Sequence, residues 1–237
     1  MLPEPVKPTD FSVRSFHYRT LIEDGARFHA TADAAVVLDY GFAPDEEVTR
    51  ARHLGLADLS PLPRTGFKGG AAIEWLEAQG LVIDEENNRA SCHEGAGGPL
   101  IARLADTEVL ILGELAGTGE RCDQLNRAHA QQQPARCFHV PRRDSSAWFM
   151  VTGEHAGTMF AKLCAVDMRH HKFPSGAVAQ TSLARMNVIV IRCDLGETPS
   201  FHLLFDSASV DYLWRALKDA MSEFDGRLVG QAALLAL

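Results

Sequence analysis

Ten histidines and five cysteines are the side chains of this 237-residue sequence best suited to holding a metal or acting as a nucleophile. Their spacing assigns them to neither task. A zinc-hydrolase helix carries H-E-x-x-H, which puts two imidazoles on one face, and no such run occurs. His170 and His171 are adjacent, so on a regular element their side chains diverge and cannot grip one ion. Cys137 and His139 could share a strand face, but no further ligand pair stands out near them. Cys92, Cys122, Cys137, Cys164 and Cys193 are odd in number, scattered and free of C-x-x-C, which indicates neither a disulfide framework nor a structural zinc site. No serine stands in a G-x-S-x-G elbow, and Cys164, in AKLCAVDM, has the apolar flanks of a small buried hydrophobe. The glycines of HEGAGG (93–98) and GELAGTGE (113–120) have the wrong order for a phosphate loop, so nucleotide binding is not expected.

Composition narrows the class further. A net charge of -8 disfavours a nucleic-acid partner, which needs a concentrated positive surface. The short basic spots, Arg142-Arg143 and Arg169 to Lys172, read as solvated turns. With 46% hydrophobic and 23% charged residues the chain can bury one sizeable core or two small ones that share an interface. No apolar run approaches the length of a membrane span or of a signal peptide, so membrane insertion and export are not expected. With the scattered cysteines this predicts a reducing cytoplasm.

The elements that would position any site read as an α+β mixture in which short strands alternate with helices. A proline-rich flexible lead (1–14) precedes a single unit (15–237). Ser15 to Phe28 is expected to be a helix with Phe16, Leu21 and Ile22 inward, closing near Gly25. Asp45 to Leu54 is expected to be another, with Asp45 as cap and Glu46 and Glu47 in the first turn, where the helix dipole favours carboxylates. A pattern of strand, glycine and amphipathic helix occurs at Thr65 to Leu81 and again at Trp148 to Cys164, around Gly69 and Gly153. Each is followed later by a strand that leads into a helix, which predicts pseudo-repeats over about 55–130 and 140–225, with Ala128 to Pro134 as a linker between them. Val210, Leu213, Trp214, Leu217, Met221 and Phe224 form one stripe of the last helix, which Ser209 could cap. Asn187 to Cys193, a β-branched run, suits a strand buried on both faces.

Three segments have a more particular residue order: PRRDSSAWFMVTG (141–153), AKLCAVDMR (161–169) and FPSGAVAQTSLARMNVIVIRCDLGE (173–197). Together they resemble the gamma subunit of heterotetrameric sarcosine oxidase, a relative of the folate-dependent aminomethyltransferase of glycine cleavage. Toward the N-terminus Glu47, Arg52, Gly55, Leu56, Asp58, Leu59 and Ser60 are similar to the opening of the aminomethyltransferases. The resemblance implies an aminomethyltransferase-like fold and a place beside a larger subunit that binds flavin and folate.

The resemblance also implies where tetrahydrofolate chemistry would sit and what is missing from it. The family follows a glycine pair with two acidic residues, whereas 94–114 carries no Asp or Glu between Gly98 and Asp106. A transfer that relies on a positioned carboxylate would lose that electrostatic contribution. The family's acidic residue in a turn before a strand, which contacts the pterin, matches Glu197, although Cys193, Asp194 and Leu195 replace the glycine and tyrosine that precede it. The expected role is therefore a small, non-catalytic subunit of a sarcosine-oxidase-like system with one-carbon transfer to tetrahydrofolate. The alternative is a stand-alone tetrahydrofolate-dependent methyl or aminomethyl transferase with a rearranged site, in which Glu197, Arg185 and Asp167 contact the cofactor and Asp58 is a structural turn residue.

Overall fold

The computed structural model describes residues 3–92 and 98–237, so the glycine-bearing run 93–97 lies outside the described residues. In chain order the first elements are β1 (Val13–Arg14), α1 (Tyr18–Glu23), β2 (Arg27–Thr31), β3 (Ala34–Asp39), α2 (Pro44–Leu54) and β4 (Gly55–Asp58). Next come β5 (Arg64–Lys68), α3 (Ala72–Ala78), β6 (Arg89–Cys92), β7 (Leu100–Ala105), β8 (Glu108–Leu112), α4 (Glu120–Gln132) and β9 (Phe138–His139). The rest is β10 (Ser146–Thr152), α5 (Ala156–Met159), β11 (Val178–Leu183), β12 (Met186–Arg192), β13 (Ser200–Asp206), α6 (Val210–Ser222), β14 (Arg227–Leu228) and α7 (Gln231–Leu234). One sheet has the order β11-β12-β13-β10-β4-β14, a second has β6-β7-β8-β5-β9, and β1-β3-β2 form a small third. The first four strands of each large sheet thus follow one plan, and each plan contains a strand, a glycine at positive φ (Gly69 or Gly153) and a helix.

The alternation of β10 explains how these sheets stack. Every residue of SAWFMVT is buried, because a strand at the centre of a covered sheet has no solvent face. Ala147, Phe149 and Val151 enter one core, and Trp148 and Met150 enter another. The second of these lies between the two large sheets, where Leu100, Ala102, Leu110 and Leu112 of the five-stranded sheet meet Ile191 and Leu204 of the six-stranded one. Beyond the six-stranded sheet, α6 lays Val210, Leu213, Trp214, Leu217 and Met221 on Phe149 and Phe205. Beyond the five-stranded sheet, Ile101, Val109 and Ile111 meet Trp75 and Leu76 of α3 and Leu125 of α4. At one border the two sheets touch: the Ala90 N–H donates to Gly176 O at 2.8 Å and the Val178 N–H to Asn88 O at 3.1 Å. Gly176, at φ +84, permits this approach, since a Cβ there would stand 2.9 Å from Ala90 O.

Several expectations need correction. The helix over Ser15 to Phe28 is only Tyr18–Glu23, with Leu21 inward and Phe16 and Ile22 exposed. Gly25 turns the chain at φ +92, and the following residues pair with the wholly buried β3, so tertiary pairing overrides the helical period. Within residues 3–14, the Val6 N–H donates to Phe28 O and β1 pairs with β3. Helix α4 absorbs Ala128 to Gln132 of the expected linker: Ala and Gln are good helix formers, and Trp75 Nε1–H donates to Gln132 Oε1 at 2.7 Å. Ser209 makes no cap bond; the Asp206 carboxylate accepts from the Ala208 N–H one turn earlier. Glu47 does not serve the helix dipole from solvent. It is buried and accepts the N–H groups of Gly230 and Tyr40. Arg142 is no solvated turn residue, since it pairs with Glu108 at 2.5 Å in a largely buried setting.

The crossing from one large sheet to the other is held by Arg64. Its guanidinium, 4% exposed with its residue, donates Nη1–H to Ser60 O and Leu62 O, both at 2.8 Å, and Nη2–H to Arg143 O at 2.7 Å and to Ser146 O. Burial lowers its pKa to about 10, so it remains charged at neutral pH. Arg64→Met would strand four carbonyls, and with one to three kcal/mol typical of a lost buried partner we expect a loss of about 2–4 kcal/mol in urea unfolding. Arg64→Lys, a point charge that cannot reach all four, should recover only part of it.

Candidate functional site

The site that the sequence singles out is the connection from β12 to β13, and Arg192 shapes it. This last residue of β12 is buried and forks onto Asp194, Nε to Oδ1 and Nη2 to Oδ2, both at 2.8 Å. Its Nη1–H donates to Phe173 O at 2.7 Å, and Asp194 Oδ1 also accepts the Ser200 N–H at 3.1 Å. The turn closes by reciprocal backbone bonds between Leu195 and Thr198 at 2.9 and 3.0 Å, with Gly196 at φ +57. Leu195 and Cys193 therefore face inward and Glu197 lies exposed at the tip.

Inward of this turn, between the two large sheets, lies a small cavity whose walls include Leu100, Leu112, Leu115, Trp148, Cys193, Leu195 and His202. Its open volume of about 10 Å³ admits roughly one water molecule. At its base the Trp148 Nε1–H donates to His202 Nδ1 at 3.1 Å, so the neutral imidazole carries its proton on Nε2. Cys193 is disulfide-bonded, which corrects the expectation drawn from scattered cysteines and removes that ground for a reducing compartment. Pairing depends on tertiary proximity, which sequence spacing does not reveal.

Tetrahydrofolate, which the resemblance implies, requires room for a bicyclic ring and polar partners for its edge. Where the acidic pair was expected, β7 presents Leu100, Ile101 and Ala102, all buried and apolar, and among the described wall residues there is no carboxylate. This cavity, at about 10 Å³, has no room for a bicyclic ring.

The remaining sequence-predicted residues do not converge there. Arg185 is exposed at the tip of the β11–β12 hairpin, where Ala184 and Arg185 both have positive φ. Glu197 follows the other end of β12, seven residues long, which separates the two by roughly 20 Å. Asp167 lies on the loop after α5, whose Met168 packs into the outer core on the opposite face of the six-stranded sheet. It grips Arg169 at 2.8 and 2.6 Å, and those hydrogen bonds hold its carboxyl well below the usual range.

A polar cluster that no motif announces lies beside α1. His17, buried between the rings of Phe149 and Trp214, has Nε2 3.5 Å from Asp58 Oδ2. Burial alone would raise the Asp58 carboxyl, but His17, Ser15 and Ser60 outweigh it and hold it below its ordinary value. Asp58 Oδ1 accepts the Ser60 N–H at 2.9 Å, so Asp58 is the turn residue expected of it and also the anchor for His17. Ser15 and Ser60 open onto a cleft of about 500 Å³ that Arg143 and Asp144 flank. The only signal for this pairing was the aspartate of the G-L-x-D-L-S turn, because His17 is brought to it by tertiary packing.

Burial pushes the pKa of His202 down to about 4, against roughly 6.5 for a free imidazole. Below pH 6.5 the unfolded chain binds a proton that the folded chain refuses. This contribution to stability is therefore complete above about 6.5 and is lost as pH falls toward 4, about 3 kcal/mol in all. Urea midpoints measured across that window should fall more steeply for the wild type than for His202→Gln.

Comparison with known proteins identifies this arrangement of sheets. The structure is similar to the glycine cleavage system aminomethyltransferase T from Bartonella henselae, with a TM-score of 0.72 and 16% identity over 93% of this chain and 60% of that one. This chain thus spans about 60% of the length of that relative. A chain of the heterotetrameric sarcosine oxidase from Corynebacterium sp. U-96, solved in complex with pyrrole 2-carboxylate, is similar with a TM-score of 0.60 and 18% identity, over 78% of this chain and 93% of that one. No curated protein matches by sequence. Among the described residues no helix is long and apolar enough to cross a membrane. Residues 96–237 match the family described as GCVT N-terminal domain, and since this is more than half of the sequence, the chain belongs to that family.

Proposed function

We propose that this chain is the small, non-catalytic subunit of a heteromeric sarcosine-oxidase-like system. That system demethylates an N-methyl compound and passes the one-carbon unit to tetrahydrofolate, with flavin and folate held by a larger subunit. The observation that carries this reading is the small cavity beneath the β12–β13 turn, about 10 Å³, where Leu100, Leu195 and Trp148 stand in the wall and no described wall residue offers a carboxylate. In this reading the chain supplies shape and surface, and the cofactors are held by the larger subunit. The likeness to a chain of a heterotetrameric enzyme, over nearly all of that chain, supports the same role. In this reading Glu197 is a solvated turn residue, Asp167 is the partner of Arg169, and Arg185 serves its hairpin.

Two measurements test the proposal. Co-expressed with the products of neighbouring reading frames, the chain should appear in native mass spectra as part of a stable heteromer. Titrated alone with tetrahydrofolate, it should show no saturable binding and no one-carbon transfer at enzyme-like rates. Binding abolished by Glu197→Ala would instead establish the stand-alone transferase and sink the subunit reading.

A further inference from the structure

His53 lies in the last turn of α2, and Glu154, 101 positions later, and His155 follow β10, yet the three side chains meet. Gly153 makes the meeting possible. At φ +108 its backbone passes so close to α2 that a Cβ would stand 2.3 Å from His53 O. The contact is then fixed by the backbone, with the Glu154 N–H on Arg52 O at 2.9 Å and the His155 N–H on His53 O at 3.2 Å. One ligand-type atom from each residue lies within 4.8 Å of the others.

The hydrogen bonding of His53 decides what this triangle needs. Its Nε2 is 2.9 Å from Phe224 O, and a carbonyl can only accept, so the proton of the neutral ring is on Nε2. Its Nδ1 lone pair then faces the Glu154 carboxylate at 3.3 Å, and His155 Nε2 stands 3.5 Å from the same oxygen. Two acceptors facing each other repel unless a positive centre sits between them. A proton on Nδ1 would serve one edge of the triangle, whereas a metal ion serves all three. Ligand atoms bound tetrahedrally to zinc at about 2.0–2.1 Å lie about 3.3 Å apart, close to the two spacings to the Glu154 oxygen, with the edge between the imidazoles within 4.8 Å. An imidazole that donates its other N–H to a backbone carbonyl is also the usual support of a metal-bound histidine. All three side chains are partly exposed, at 41%, 68% and 40%, which leaves an entry path and a fourth position for water.

We propose that His53, Glu154 and His155 form a three-ligand site for a divalent transition metal of the zinc class, with the fourth position open to solvent. The test uses the full chain, Co²⁺ as a spectroscopic probe and Zn²⁺ as competitor. One equivalent of Co²⁺ should give the visible bands of a four- or five-coordinate ion, and Zn²⁺ should displace it. His53→Ala and His155→Ala should each weaken binding by about a hundredfold or more, at the upper end of what loss of a mere supporting contact costs. Glu154→Gln should also weaken it, and His171→Ala, outside the cluster, should leave it unchanged. The site is partly exposed, so far-UV circular dichroism of these variants should match the wild type. Should an alanine variant misfold, Glu154→Gln, which preserves shape, decides the question in its place. Absence of stoichiometric binding, or equal affinity in all variants, would overturn the assignment.

Discussion

The Arg64 guanidinium is the point at which the two large sheets are joined. It stands on β5 of one sheet and gathers carbonyls from the segment after β4 and from the approach to β10, both strands of the other. A chain that crosses between sheets must bury irregular backbone, and irregular backbone has acceptors that no ladder satisfies. One planar cation with five donors meets that demand at a single place. Because β10 enters at this point, so do the alternation of Trp148 and Phe149 into separate cores and the Ser60 bonds to the Trp148 backbone. The His17–Asp58 pair then attaches α1 to the same corner.

Beneath the β12–β13 turn the frame so built encloses mostly its own side chains. Trp148 and His202 satisfy each other, Leu195 closes one wall, and the disulfide at Cys193 stiffens the strand end beside it. Apolar filling of this kind favours stability, since each void removed restores dispersion contacts. It leaves Glu197 outside, on a turn whose shape is set by Arg192 and Asp194 and not by Glu197 itself. The turn's geometry thus does not depend on the carboxylate it presents.

What could be read from the sequence was whatever depended on a local period. The stripe of α6, the helix ending at Leu54 and the β-branched run of β12 each carry their burial pattern in their own residues. Where a distant partner decides the outcome, the local pattern misleads. Arg27–Thr31 looks helical until β3 claims it, and Ala128 to Gln132 look like a linker until Trp75 and the α4 turns claim them. At the site Glu197 could be placed at a turn but not above a small cavity, because the cavity is made by Leu100, Leu112 and Trp148 from elsewhere in the chain. His53 and His155 were invisible as a pair for the same reason, since Gly153 joins them in space only.

The bonds between 88–90 and 176–178 have a consequence for solubility. A sheet border offers unpaired N–H and C=O groups to any other extended chain, and such borders template aggregation. Here the outermost strands on one side of both large sheets, β6 and β11, turn part of that edge toward each other. On the far side the sheets end in β9 and β14, two residues each, a rung count too small to recruit a foreign strand. The two sheets shield each other's borders, so the protein can carry eleven strands in them with little exposed ladder and without closing into a barrel.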